Sequence, residues 1–412
     1  MNKKILVLAE SLRINETSSG IVSSTFIKSL QDLGHKVTVI YPHEMNYEVT
    51  WLDGCKLIKL IKHDVKPQLI NKIPKVRALP SYFRFSFSTE FKSLVNSWSD
   101  AVIRETTNDD YDAIFVLGSG TSFSPHFAIP YFKKTVELPV FAYIHDPFPI
   151  HIYPKPYKRT VTLLTWMQAQ RFKKVLSFCS GVLFPSKKLL EWMSGFYPII
   201  PEKCYVVPHL SVQLSNLPSL QDDNKIQLDS KSINIIHAGT LLGPRNPKFL
   251  LNAVNRLFFE HPELTKDVKL TFIGKLAREH KSLAAISSKN VSLFDRRVSY
   301  KKSLELISQA DAILVIEAIS DYSPFMPGKL ADIFLKNKPI IVLGPKNSEV
   351  MRIIGDTRYY APLDDEDMIH NVLKNFIQDK KANNAENKSS TCKLYTSNYG
   401  LAKLKEIIDS QV

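Results

Sequence analysis

Ser323-Pro324-Phe325-Met326-Pro327-Gly328-Lys329-Leu330-Ala331-Asp332 lies between two apolar runs, Ala312–Ile316 and residues 339–343. The order strand, loop, short helix, strand is one unit of an α/β sheet. Pro327 suits the first turn of a helix, where a missing N–H costs nothing, and Gly328 lets the backbone approach a ligand closely. Free amides at that helix start favour an anion, and Lys329 adds a full positive charge beside them. Asp332 follows three residues later on a neighbouring face of the same turn, with Leu330 between them. Two readings fit this spacing. One is a capped helix that carries a surface lysine. The other is a nucleotide grip, with charge for a diphosphate and a carboxylate for ribose hydroxyls.

Outward from this stretch, apolar runs and helical patterns alternate along the 412 residues. Residues 5–9 lead into a polar loop ending at Gly20, then a helix-like stretch 21–33 closed by Gly34, then a second run at 36–41. Residues 114–117, 140–144 and Gly181–Phe184 are further short apolar strands. Residues 210–232 are polar and lack a period, which reads as a linker. The alternation restarts with residues 233–237, a helix across 247–259, Val268–Ile273, a helix across Tyr300–Gln309 and Ala312–Ile316. Residues 379–390 read as a surface loop and 401–408 as an amphipathic helix. The expected fold class is therefore α/β, with two Rossmann-like doubly wound domains facing a central cleft. The expected domains are 1–208, a linker 209–232, a second domain 233–390, and a C-terminal helix within 391–412 free to cross back to the first domain. Ligands of such sheets bind beyond the carboxyl ends of the strands, where the Lys329/Asp332 loop falls.

Composition bounds the partners. The chain has 54 Lys plus Arg against 40 Asp plus Glu, a formal charge of +14. Such an excess implies an anionic partner: nucleic acid, an acidic membrane surface or phosphorylated substrates. No nucleic-acid motif is present, which argues against the first. Cys55, Cys179, Cys204 and Cys392 lack CxxC or metal-ligand spacing and read as reduced thiols. No apolar run approaches the roughly 18 residues that span a bilayer. Glu10 ends the first apolar run too early for a signal peptide. The expected location is cytoplasmic, with peripheral attachment at the inner membrane face.

The basic excess is concentrated. Residues 147–190 contain no Asp or Glu and carry Lys155, Lys158, Arg159, Arg171, Lys173, Lys174, Lys187 and Lys188 among Tyr153, Tyr157, Trp166 and Phe172. A second basic stretch, 56–92, encloses Tyr82, Phe83, Phe85 and Phe87. These are either solvated faces beside buried aromatics or surfaces suited to an anionic headgroup layer.

Three segments carry a family resemblance. The first is Asn15 to Gly20 ahead of a helix, with Leu33-Gly34-His35-Lys36-Val37-Thr38-Val39 after it. The second is His237-Ala238-Gly239-Thr240 through Arg245, and the third is Lys329 through Asn337-Lys338-Pro339. Together they resemble the GT-B fold glycosyltransferases of family 4, over nearly the whole chain. The resemblance implies a retaining, hexosyltransferase-type enzyme of cell-surface polysaccharide biosynthesis. Such an enzyme takes a nucleotide-diphosphate sugar as donor and a saccharide, here lipid-linked, as acceptor, with the first domain on the acceptor side. By the resemblance, donor binding falls on Gly20, Gly239, Thr240, Arg245, Pro327, Gly328, Lys329, Leu330 and Asp332. Two departures stand out. Pro324 holds the place of the family's first donor-motif glutamate, and Asp332 that of the second. Thr240 and Arg245 hold the places of the phosphate loop's Arg and Lys, so one cation is missing. Lys329 is expected to replace its charge.

His145, within Tyr143-Ile144-His145-Asp146-Pro147, stands at the carboxyl end of an apolar strand. It is either a core histidine or a crevice group able to donate and accept hydrogen bonds. The resemblance implies that it holds a donor hydroxyl near the reacting sugar. Asp146 orients it or serves the turn before Pro147. Ser19 with Gly20, and Gly118 in Gly118-Ser119-Gly120-Thr121, form small-residue loops that admit an acceptor or phosphate, or plain turns. Arg245 is either solvated or forks onto the diphosphate, whereas Asp311 reads as structural. The catalytic set expected is His145, Arg245 and Lys329.

No His, Cys or Asp cluster has metal spacing, so no metal and no cofactor beyond the donor substrate is expected. Positioning and charge stabilisation then carry the reaction. Two alternatives remain: a nucleotide-sugar 2-epimerase of the same fold, which needs crevice carboxylates such as Glu10, and a non-catalytic basic membrane- or nucleic-acid-binding protein.

Overall fold

The apolar runs form parallel strands in the computed structural model, which describes residues 2–42, 47–61, 87–120, 122–199, 201–221, 223–241, 243–285, 289–383 and 397–412. The first sheet contains β1 (Lys4–Ala9), β2 (Lys36–Pro42), β3 (Lys56–Leu60), β4 (Ala113–Leu117), β5 (Val140–Tyr143), β6 (Gly181–Phe184) and β7 (Cys204–Val206). Its order is β3-β2-β1-β4-β5-β6-β7. The second contains β8 (Ile233–Ala238), β9 (Val268–Ile273), β10 (Val291–Phe294), β11 (Ala312–Ile316), β12 (Ile340–Leu343) and β13 (Tyr360–Ala361). Its order is β10-β9-β8-β11-β12-β13. Helices cover the faces, so the central strands are buried on both sides. That is why β4, β5, β6, β11 and β12 read as unbroken apolar runs rather than alternating ones.

In each sheet the chain moves outward in one direction, returns to the middle and then moves outward in the other. The reversal falls between β1 and β4 in the first sheet and between β8 and β11 in the second. Register pairs Leu6 with Ile114 across the first reversal and Ile313 with Ile236 across the second. Loops leaving the carboxyl ends of two such neighbours part company and open a crevice, the usual ligand site of a doubly wound sheet.

The chain divides into two units. One comprises Met1–Tyr153, Lys158–Asn216 and Gly400–Val412, and the other Pro154–Tyr157 and Leu217–Tyr399. Residues 209–232, expected as a linker, are shared between them and are not a free loop. His209, Leu210, Ser211 and Val212 are buried in the first unit. In the second, Asp223 accepts from the Ser299 amide at 3.0 Å and Ile226 is fully buried. Their polar composition hid these few anchoring side chains. The helix Ser397–Gln411 packs with the first unit, where a Cβ on Gly400 would lie 2.3 Å from Leu210 Cδ2.

Two local expectations are corrected. Gly20 belongs to a helix, Ser18–Asp32, and not to a loop. Thr17 caps that helix by accepting from the Gly20 amide at 3.0 Å. The glycine is required by packing, because a Cβ there would lie 2.4 Å from the Arg13 carbonyl oxygen. Its amide is thus engaged and not turned toward a phosphate. Pro327 likewise lies outside its helix, Lys329–Leu335, with Gly328 as the cap residue. The Pro327 carbonyl accepts from the Leu330 amide at 3.0 Å. Most of the basic stretch 56–92, including Tyr82, Phe83 and Phe85, lies outside the described residues.

Candidate functional site

The reversal point of the second sheet gathers the sequence candidates of that unit. β8 ends in His237 and Ala238, and Gly239 and Thr240 follow. The His237 Nδ1 lies 2.9 Å from the Leu314 carbonyl oxygen of neighbouring β11. A carbonyl only accepts, so Nδ1 carries the proton and Nε2 presents a lone pair. Burial lowers the His237 pKa to about 3, and the Lys329 and Arg245 charges lower it further against the Leu314 contact. The ring is therefore neutral. Nε2 is buried and has no hydrogen-bond partner of ordinary geometry.

Gly239 keeps this corner open. A Cβ at Gly239 would lie 3.1 Å from His237 Nε2 and 3.7 Å from Lys329 Nζ. Gly274, after β9, supports it from below: with φ of +150°, its added Cβ would lie 2.0 Å from the Gly239 oxygen and 3.2 Å from the Thr240 nitrogen. Lys329 opens its helix beside this gap. Burial lowers its pKa to about 8, with Arg245 acting in the same direction and Asp332 against both. Neither Lys329 nor Arg245 forms a salt bridge among the described residues, and the buried Nε of Arg245 has no hydrogen-bond partner. Leu330 is buried in the core beneath them. Asp332 faces inward: it is buried, and its Oδ1 accepts from the Tyr300 hydroxyl at 2.8 Å. The sequence offered Asp332 as an acceptor for ribose hydroxyls; in the structure this oxygen receives the Tyr300 hydroxyl.

A group that sequence reasoning passed over completes the corner. Glu317 directly follows β11, is almost fully buried, and accepts from the Ser323 hydroxyl at 2.6 Å. Burial pushes its pKa up to about 7, against the pull of the Ser323 and Ser348 hydroxyls and the Arg245 charge. Gly344, after β12, leaves room for it, since a Cβ there would lie 2.8 Å from the Glu317 Cβ. Pro324 supplies no acid to this loop, but Glu317 brings a carboxyl to it from the strand end. The signal was a lone acid ending an apolar run. Asp311, read as structural, receives the Asn234 amide at 2.8 Å and Lys380 at 2.8 Å.

The first sheet repeats the pattern. Glu10 directly follows β1, and burial raises its pKa. It accepts from the Ser119 amide at 2.9 Å, the Ser122 hydroxyl at 2.6 Å, and the amide and hydroxyl of Ser124. Ser19, in the first turn of the helix Ser18–Asp32, bonds Ser119 at 2.8 Å and so ties that helix to the loop after β4. Gly118 makes space for His126, whose Cε1 would lie 3.1 Å from an added Cβ. His145, just beyond β5, packs 4.2 Å from the Tyr143 ring and 5.6 Å from that of His209. Burial, then His209 and His126, hold its pKa well below the ordinary value. Neither ring nitrogen of His145 has a hydrogen-bond partner. Asp146 is half-buried, and its charge adds to the burial that raises the Tyr153 pKa.

Residues 20–210 match the model of Glycosyltransferase Family 4. The first unit carries a glycosyltransferase family 4 domain. The fold of the whole chain agrees. A glycosyltransferase from Rickettsia africae ESF-5 matches with a TM-score of 0.65 at 14% identity, over 100% of this chain and 98% of that one. Anabaena HepE in complex with UDP and glucose matches at 0.65 and 12%, over 99% and 100%. A putative UDP-N-acetylglucosamine 2-epimerase from Listeria monocytogenes matches at 0.61 and 12%, over 100% and 96%. Among curated proteins none matches the sequence. By family domain and GT-B fold this chain is a glycosyltransferase. Among its described residues no helix is long and apolar enough to cross a membrane.

Proposed function

We propose that this glycosyltransferase binds a nucleotide-diphosphate sugar at the reversal point of the second sheet and transfers the sugar, with retention, to a saccharide acceptor. One observation carries the reading: Lys329 and Arg245 bring two cations without salt-bridge partners to one corner, beside the lone pair of His237 Nε2. Partly buried charge without an ion-pair contact is costly, and a ligand diphosphate supplies one. The His237 acceptor suits a hydroxyl on the same ligand. Such a site stabilises a leaving diphosphate electrostatically, without an enzymic nucleophile and without a metal. Titrating UDP, GDP and ADP into the protein calorimetrically tests this. Saturable binding of at least one, weakened by Lys329→Ala, is expected, and silence toward all three would sink the reading.

The acceptor in this reading is lipid-linked, in cell-surface polysaccharide synthesis. Support comes from the helix Leu163–Ser177 of the first unit, which buries only Phe172 and Val175. Leu163 (63% exposed), Trp166 (53%) and Val161 (54%) project beside exposed Lys158, Arg159, Lys173 and Lys174. Exposed apolar and aromatic groups ringed by cations suit an anionic lipid surface.

A 2-epimerase is the second reading, favoured by Glu317. A carboxyl titrating near 7 is poised as an acid or base. Product analysis separates the two, since an epimerised nucleotide sugar formed without acceptor would favour the second.

A further inference from the structure

We propose that Glu260, His261 and His370 form a site for a divalent transition metal of the zinc class, on the outer helices of the second unit. Glu260 and His261 end the helix Lys248–Glu260, and His370 lies on the helix Glu366–Lys381. One ligand atom from each residue lies within 4.8 Å of the other two. Two imidazoles and a carboxylate are a donor set that suits zinc, with the fourth position left to water.

The arrangement differs from a plain ion pair. His370 Nε2 is buried and stands 3.0 Å from Glu260 Oε2, yet it has no hydrogen bond of acceptable geometry. The two lone-pair bearers thus lie side by side without facing each other, as ligands of a common ion do. In a tetrahedral site with bonds of roughly 2.0–2.2 Å, ligand atoms stand ~3.4 Å apart. The Glu260–His370 pair, at 3.0 Å, stands a few tenths of an ångström inside that spacing, and a ligand atom of the half-buried His261 lies within 4.8 Å of both. Glu260, with its side chain 45% exposed, leaves the solvent side open for entry and for a water ligand.

The role is a staple. The two helices already hold each other through Asn252 to Glu366 at 2.7 Å and Arg256 to Asp367 at 2.7 Å. Glu260 is the last residue of a helix whose first turn follows the Arg245 loop. Thirteen residues at ~1.5 Å each put the cluster ~20 Å along that helix from the nucleotide corner. The ion therefore takes no part in sugar transfer.

Zinc alone is the probe, titrated calorimetrically into the chelator-treated full-length chain. One saturable equivalent is expected, with the melting temperature rising by several degrees at a hundredfold excess over Kd. His261→Gln and the double variant His261→Gln/His370→Gln should each weaken binding at least tenfold. Cobalt should give the intense visible absorption of a tetrahedral site, which needs no variant to interpret. Zinc uptake equal in wild type and His261→Gln, absence of saturable binding, or a weak octahedral cobalt spectrum would each overturn the proposal.

Discussion

The Ser323 hydroxyl donates to Oε1 of Glu317 at 2.6 Å, tying the loop beyond β11 back to the strand end. A buried carboxyl raised from 4.5 to about 7 favours the folded state only while it is protonated. Its contribution is complete below pH 4.5 and is lost as pH rises to and through 7. Glu317→Gln removes this dependence. Between pH 5 and pH 8, wild type should lose roughly 2.5 kcal/mol relative to the variant. Urea denaturation at the two pH values measures the difference, and parallel slopes would count against a neutral Glu317.

Lys329 predicts a pH profile for ligand binding. Its ammonium is charged below about 8, and a diphosphate selects the charged form. Affinity for UDP, or whichever nucleotide binds, should therefore fall by up to tenfold per unit above that point. Lys329→Arg should flatten the profile, because guanidinium stays charged throughout. Lys329→Ala and Arg245→Ala should each cost 10- to 100-fold in affinity, in line with about 1.5–3 kcal/mol for a charged hydrogen bond. Calorimetry from pH 6.5 to 9.5 reads both effects.

Two glycines should respond oppositely. Gly239→Ala needs only a few tenths of an ångström from His237 and Lys329, so it should fold normally and bind nucleotide less well. Gly274→Ala sets a Cβ against the Gly239 carbonyl at a φ of +150°, so it should destabilise the chain by about 3 kcal/mol or more. Thermal melts beside nucleotide titrations distinguish the two, and a stable Gly274→Ala variant would contradict the geometry.

Lipid docking by the first unit is tested with Leu163→Glu/Trp166→Glu. These side chains are exposed, so the melting temperature should stay within a degree or two of wild type. Sedimentation with vesicles of anionic lipid should fall several-fold, and wild-type binding should weaken as salt rises. Equal sedimentation of both proteins would remove the surface from the proposal.

The sheets were legible because their central strands are unbroken apolar runs: Val268–Ile273 and Ala312–Ile316 stand in the structure with the bounds read from sequence. The edges were not. β3, with Lys56 and Lys59 within five residues, and the two-residue β13 carry too little apolar pattern to announce a strand. Lys329 and Arg245 were visible as charges beside glycines, and Gly239 as a loop glycine. Glu317 and Glu10 were harder, because an acid closing an apolar run looks like an ordinary stop until sheet order places its strand at a reversal. Gly20 misled for a related reason: a glycine needed to clear the Arg13 backbone has the same letter as one needed to admit a phosphate. Glu260 and His370 lie too far apart in sequence for any spacing rule to pair them.

The helix Ser397–Gln411 packs with the first unit although it is made after the whole of residues 217–399. Residues 217–399 of the second unit are thus an insertion in the chain of the first. On the ribosome, the first unit waits for residues 400–412 until residues 217–399 of the second have been synthesised and can already fold. An unfinished chain can therefore hold the corner of Lys329, Arg245 and His237 while the first unit still lacks this helix. Exchanging residues 217–399, the bulk of the second unit, between related proteins requires two junctions instead of one.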